Sequence, residues 1–173
     1  RLLARKGLQN LIPELPGIQA EVRRKSGREI QLVIVGDGPY RPVLEEMAAE
    51  NKVQGFVHFE GGKNRDQVRQ YYQAADLFVL PSLAEGMPNV VLEAMASGLP
   101  IVMTPCEGSK ELVTDNGMIA PIKTLPDALI HMCTDEEDRI AMGKNSLRRI
   151  ETYFKWESIG TRYLSMLEES VGE

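Results

Sequence analysis

The chain is poor in the residues that most often announce a metal or redox site. It holds two cysteines, two histidines and one tryptophan, and aromatic residues make up only 6% of it. Cys106 and Cys133 follow no metal-binding or redox spacing, so they read as buried thiols in a reducing compartment. An excess of positive charge is missing as well. A net charge of −5 and a pI of about 5.2 offer no general attraction to nucleic acid or to an anionic membrane. An anion would need a local basic pocket. No apolar run approaches the roughly 18 residues of a membrane span, and no signal peptide opens the chain. Internal repeats, low-complexity tracts and linkers are missing too. The expectation is a soluble, cytoplasmic domain.

With 173 residues, 43% of them hydrophobic and 26% charged, the chain suits one well-cored domain rather than two. It opens on R-L-L-A-R-K-G without a methionine, which reads as a cut from something longer. Short β-branched and aromatic runs predict strands over 31–36, 56–60, 76–80, 101–104 and 118–121. Three of them are almost continuously apolar, as parallel strands covered on both faces are. Helical patterns lie between them at 39–50, 66–75 and 88–97, and two more helices are expected at 136–151 and 156–169. In the last, Trp156, Ile159, Tyr163 and Leu167 share one face and read as packing. The acidic cluster 135–138 fits a solvated helix start, where carboxylates favour the macrodipole. Leu8, Leu11, Ile12 and Leu15 have helical period, but Pro13 and Pro16 break it, so a kink or two short pieces are expected there. Alternating β and α elements predict a doubly wound α/β sheet.

Gly36-Asp37-Gly38 follows a strand and precedes a helix, and Glu60 ends the next strand. That is most of a dinucleotide fingerprint. Arg41, however, stands at the third glycine position, where a long side chain blocks close helix–strand packing. A strand-to-helix turn that needs positive φ explains the glycines better.

The stretch A-E-G-M-P-N-V-V-L-E-A-M-A-S-G-L-P, residues 84–100, raises a different question, because two glutamates flank the head of an apolar helix. Pro88 or Asn89 opens that helix. Asn89, Glu93 and Ser97 then share one polar stripe, which faces either solvent or a ligand. The helix follows one strand and leads into another, so its N-terminus sits at the carboxyl edge of the sheet, where ligands of such folds bind. A carboxylate in that crevice needs a partner, and vicinal ribose hydroxyls would serve Glu93. Unpaired amides at the helix start would take a phosphate, and Glu85 lies just before them beside Gly86. A phosphate with a sugar on each side describes a nucleotide sugar.

These residues resemble the Glu-x7-Glu signature of the retaining glycosyltransferases of family four. R-L-L-A-R-K-G is similar to that family's Arg-x4-Lys-Gly, and L-V-I-V-G-D-G-P, V-H-F-E-G, A-A-D-L-F-V-L-P-S and E-G-S-K-E-L follow in its order. The resemblance covers nearly the whole chain. It implies a Rossmann-like parallel sheet, the carboxyl-terminal, donor-binding half of a GT-B fold, as a single domain over 1–173 with C-terminal helices from about 136. The acceptor half would lie outside this chain.

By the same resemblance Arg1 and Lys6 would grip the donor diphosphate and Glu85 would face the transferred sugar, making these three the catalytic candidates. Glu93 would hold ribose, while Gly86, Met87, Asn89 and Val90 would line the donor and phosphates. Gly61, Gly62 and Lys63 would lie beside the nucleobase. No Asp-x-Asp motif is present, so no metal and no cofactor is expected; cationic side chains would take over the metal's task. The expected donor is a UDP-sugar, and the expected acceptor a bacterial saccharide or lipid-linked sugar. Membrane contact at the inner face would come only through the other half. Three positions depart from the pattern. Pro88 stands where the family often has glycine, Glu107 replaces the first glycine of a Gly-Gly pair, and the family's first strand would precede Arg1, so the sheet is expected to lack it. Two alternatives stay open: an NAD-dependent oxidoreductase domain built on Gly36, Gly38 and Glu60, and a nucleotide-sugar binding module without catalysis.

Overall fold

The computed structural model describes residues 1–155 together with Ser158 and Gly160; the helix expected over 156–169 lies outside the described residues. In chain order the elements are α1 (Leu8–Leu11), α2 (Leu15–Ser26), β1 (Leu32–Val35), α3 (Arg41–Glu50), β2 (Val57–Gly61), α4 (Arg65–Ala74), β3 (Phe78–Leu80), α5 (Asn89–Ala96), β4 (Ile101–Met103), α6 (Ser109–Leu112), β5 (Gly117–Ile119), α7 (Leu125–Thr134) and α8 (Glu136–Arg149). A π-helical turn, Ile150–Phe154, ends α8.

The proline-broken first helix becomes the single turn α1, a 3-10 turn Ile12–Glu14 and then the three-turn α2, with Pro13 and Pro16 each at the start of a new piece. Proline is tolerated there because the amides it lacks have no intrahelical partner anyway. Helix α7 has no counterpart among the expected elements. Pro126 lies in its first turn, and its apolar residues Leu125, Ala128, Leu129 and Met132 are buried against the core.

All strand pairs are parallel, but they form two ladders, β1–β2 and β3–β4–β5. Register runs Leu32 opposite Val57 in the first and Phe78, Ile101 and Gly117 abreast in the second. Central strand β4 is buried throughout, while Val33 in β1 is 42% exposed. Covering on both faces explains the difference: Val102 joins the cluster of Leu15, Ile18, Val22, Leu125 and Met132, whereas Ile101 and Met103 join Val91, Ala94, Met95 and Leu112. Alternate residues of one strand thus feed helices on opposite faces, the defining property of a doubly wound fold.

Between the ladders runs the segment Leu2–Gly7, which is irregular chain and 3-10 helix rather than strand. Its Leu2 amide donates to the Asp37 carbonyl beyond β1, and its Arg5 carbonyl accepts from the Leu83 amide beyond β3. Two glycines permit this tight passage. A Cβ on Gly38 would lie 2.3 Å from the Leu2 carbonyl oxygen, and one on Gly7, at φ +74°, would lie 1.8 Å from that of Pro81. Positive φ in the G-D-G turn belongs to Gly36 (φ 138°), and Gly38 is there for space. Among the described residues no helix is long and apolar enough to cross a membrane.

Candidate functional site

Residues 81–88 leave β3 and cross the carboxyl edge to reach α5. Pro88 is extended (φ −75°, ψ 102°) and buried, and its carbonyl accepts from the Val91 amide. Having no N–H, it offers no donor of its own, the loss its identity implied. The Asn89 and Val90 amides behind it, first-turn donors of the helix, have no partner among the described residues. Gly86, Met87 and Asn89 are exposed and Val90 is half-buried.

The loop brings together two residues 79 positions apart. Lys6 Nζ donates to Glu85 Oε1 at 2.5 Å, and Ser82 Oγ donates to the same oxygen at 2.8 Å. Ser82 is itself fixed, since Thr104 Oγ1 donates to its carbonyl. Only 10% of the Glu85 side chain and 24% of that of Lys6 is accessible. Burial acts to raise the Glu85 carboxyl, but the bonds from Lys6 and Ser82 and the charges of Lys6 and Arg5 outweigh it and leave the group below the usual carboxylate range. Across the cleft the loop of Cys106–Gly108 closes in: a Cβ on Gly108 would sit 3.3 Å from the Gly86 carbonyl oxygen. Gly108 carries the positive φ (+74°), so an exposed Glu107 fits without strain where the resemblance had the first glycine of the pair. Burial and the nearby Glu85 charge push the Cys106 thiol up, which keeps it protonated.

Glu93 differs from the buried carboxylate that its apolar neighbours suggested: it is exposed, as Asn89 is. Val91, Ala94 and Met95 turn the opposite side of α5 into the core. Its partner comes from α4, where Tyr72 Oη donates to Glu93 Oε2 at 3.1 Å.

Arg1 is exposed and enters no ion pair among the described residues. The second positive charge acting on Glu85 is that of Arg5, next to Lys6 in sequence. Gly61 ends β2 and Gly62 follows it, and Lys63 Nζ lies 3.5 Å from Glu60 and 5.9 Å from the centre of the Tyr71 ring. Tyr71 Oη donates to Glu60 at 2.5 Å, and with Lys63 and His58 it holds that carboxyl below its ordinary range. Glu60 is therefore already engaged, and Arg41 Nη2 donates to the Phe59 carbonyl where a dinucleotide fold would want a third glycine. Sequence reasoning missed Ser82, Tyr72, Tyr71 and Arg5. A serine directly after strand and proline in L-F-V-L-P-S was the readable signal for the first.

One group of possible metal ligands occurs among the described residues, His131, Asp135 and Asp138, at the α7–α8 junction. Its members are engaged locally: Asp135 caps α8 and His131 pairs with Asp138. A hollow of about 540 Å³ lined by Pro16, Gln19, Ala20, Arg23, Arg24 and Phe56 opens beside α2. Phe56 precedes β2, so the hollow lies at the amino edge, opposite the loop of Glu85.

Comparison with known proteins bears on the family and the fold. A phosphatidylinositol monomannoside mannosyltransferase of Mycobacterium tuberculosis, described as GDP-mannose-dependent, is 30% identical over 179 residues, covering 96% of this chain and 45% of its own. The sucrose-phosphate synthase of Thermosynechococcus elongatus superposes with a TM-score of 0.78 at 25% identity, covering 98% of this chain and 43% of that one. The Anabaena protein HepE, solved with UDP, shares the fold at 21% identity with a TM-score of 0.77, over 98% of this chain and 47% of that one. The chain spans less than half the length of the curated relatives it matches. The family described as Glycosyl transferases group 1 matches residues 1–135, and to that family this chain belongs.

Proposed function

We propose that this chain is the donor-binding part of a retaining, metal-independent glycosyltransferase that moves a sugar from a nucleoside-diphosphate sugar to a saccharide or lipid-linked acceptor. The observation that carries the reading is the convergence, at one sheet edge, of the Lys6–Glu85 pair with the unpartnered amides that begin α5. As the glycosidic bond breaks, negative charge grows on the departing diphosphate. A partly buried ammonium and preorganised amides are placed to stabilise it. Glu85 holds Lys6 in position while its other oxygen faces the sugar. Arg1 would close on the diphosphate once it is bound. Glu93 accepts the ribose hydroxyls, and Gly61, Gly62 and Lys63 border the base.

UDP is the proposed nucleotide. The mycobacterial relative uses GDP-mannose by its name and HepE binds UDP by its description, so the base is the point on which similar proteins differ. The acceptor is held by a second domain, in keeping with relatives about twice as long.

Thermal melts with UDP, GDP and NAD test the reading. UDP or GDP at about a hundred times its Kd should add roughly 2.7 kcal/mol of stability. Stabilisation by NAD alone would return the chain to the oxidoreductase reading. Sugar transfer should require the longer protein, because the isolated chain forfeits an orientation term of about 7–11 kcal/mol. Equal transfer by the chain alone would mean that it carries an acceptor site.

A further inference from the structure

Tyr72 lies on α4, outside every motif that pointed to the donor site, yet its hydroxyl reaches across to α5. It donates to Glu93 Oε2 at 3.1 Å and lies 3.3 Å from the Val90 carbonyl oxygen. The ring is set edge-on against Phe78 of β3, with centroids 5.8 Å apart and planes at 63°. A partly buried phenol is thus anchored in the core of one element while its polar tip grips an exposed carboxylate on another. Burial, the Glu93 charge and the hydrogen bond itself all push the phenol up, so it stays a donor throughout the neutral range.

Surface glutamates on helices normally keep their rotamer freedom, because ordering them costs entropy with little return. Here the freedom is removed by a partly buried aromatic residue. Among the described residues Oε1 of Glu93 accepts nothing, and Oε2 keeps a lone pair beyond the Tyr72 bond. A fixed carboxylate with one free oxygen and one half-used oxygen is ready to accept two neighbouring hydroxyls.

We propose that Tyr72 is a positioning residue for donor recognition, which holds Glu93 in the rotamer that accepts the vicinal hydroxyls of a ribose. The inference rests on the proposed role of Glu93 and adds its cause: the site selects ribose because α4 preorganises α5.

The test is calorimetric titration of the chain with UDP and with 2′-deoxy-UDP, and with the matching guanine pair. The wild-type chain should prefer the ribonucleotide by roughly tenfold. Tyr72→Phe keeps the ring against Phe78 and should cut that preference to about threefold or less, with deoxynucleotide affinity within about twofold of wild type. In a Glu93→Gln background the same change should do nothing more. Glu93→Asp leaves the core untouched but draws the carboxylate away from Tyr72, and it should lose the preference too. An equal loss for both nucleotides in Tyr72→Phe, or no loss for either, overturns the positioning role while leaving Glu93 as a ribose ligand. A wild-type chain that binds both nucleotides equally well overturns the Glu93 reading and this inference with it.

Discussion

Two carboxylates eight residues apart, Glu85 and Glu93, sit in opposite physical settings. Glu85 lies in a loop, yet it is the more buried of the two, with 10% of its side chain accessible and two donors on one oxygen. Glu93 lies within an apolar helix segment, yet it is exposed and takes a single neutral donor. Loops usually run on the surface, but this one lies between Lys6 and the Cys106–Gly108 loop. Chain context therefore misleads about burial. What distinguishes the two acids is the company they keep: an ion pair for the acid we propose faces the transferred sugar, a phenol for the acid we propose accepts the ribose.

The largest expected effect separates the two residues of the ion pair itself. In the longer protein, Lys6→Ala and Glu85→Ala should each slow sugar transfer by roughly 10²–10³-fold, the scale of losing one preorganised electrostatic contact. Binding should tell them apart. Lys6→Ala weakens nucleoside-diphosphate affinity, whereas Glu85→Ala frees the ammonium for the diphosphate and leaves affinity equal or higher. A parallel loss of affinity in both would mean that Glu85 acts only by holding Lys6 in place.

Next comes Glu93→Gln. It should cost about 1.5–3 kcal/mol of nucleotide affinity if charge-assisted bonds to ribose are lost. Because Glu93 is exposed, unfolding free energy should move by no more than about 0.5 kcal/mol. Unchanged affinity in calorimetry would make the residue part of a solvated stripe.

Glu85→Gln sharpens the contrast on the stability side. It leaves the Lys6 ammonium without a counter-charge in a partly buried position, which should cost about 1–3 kcal/mol in urea melts. The smallest effect is the pH dependence of that difference. Since the folded Glu85 carboxyl titrates below its ordinary range, its contribution is fully present above the unfolded value of about 4.3 and fades as pH falls through the lower folded value. Wild type and Glu85→Gln should therefore converge in stability on acidification below pH 4. A constant gap would assign the cost to packing instead.

Strand positions were legible in the sequence because continuous apolar runs such as I-V-M have no stable place but a sheet covered on both faces, and β4 is buried throughout. The turn at Gly36–Gly38 and the start of α5 at Asn89 followed from local backbone rules about glycine and proline. Helix α7 was not legible: its apolar face is set by packing beside α2. The sequence also determined which residue types stand at the head of α5, and the order of motifs placed them in a family. Only the tertiary structure decided who meets whom. Lys6 reaches Glu85 across 79 residues, Tyr72 reaches Glu93 from another helix, and Arg5 rather than Arg1 adds its charge beside Glu85. The reason is physical. Helix and strand periodicity is written in neighbours, whereas burial and charge pairing are properties of surfaces that exist only once distant segments have packed.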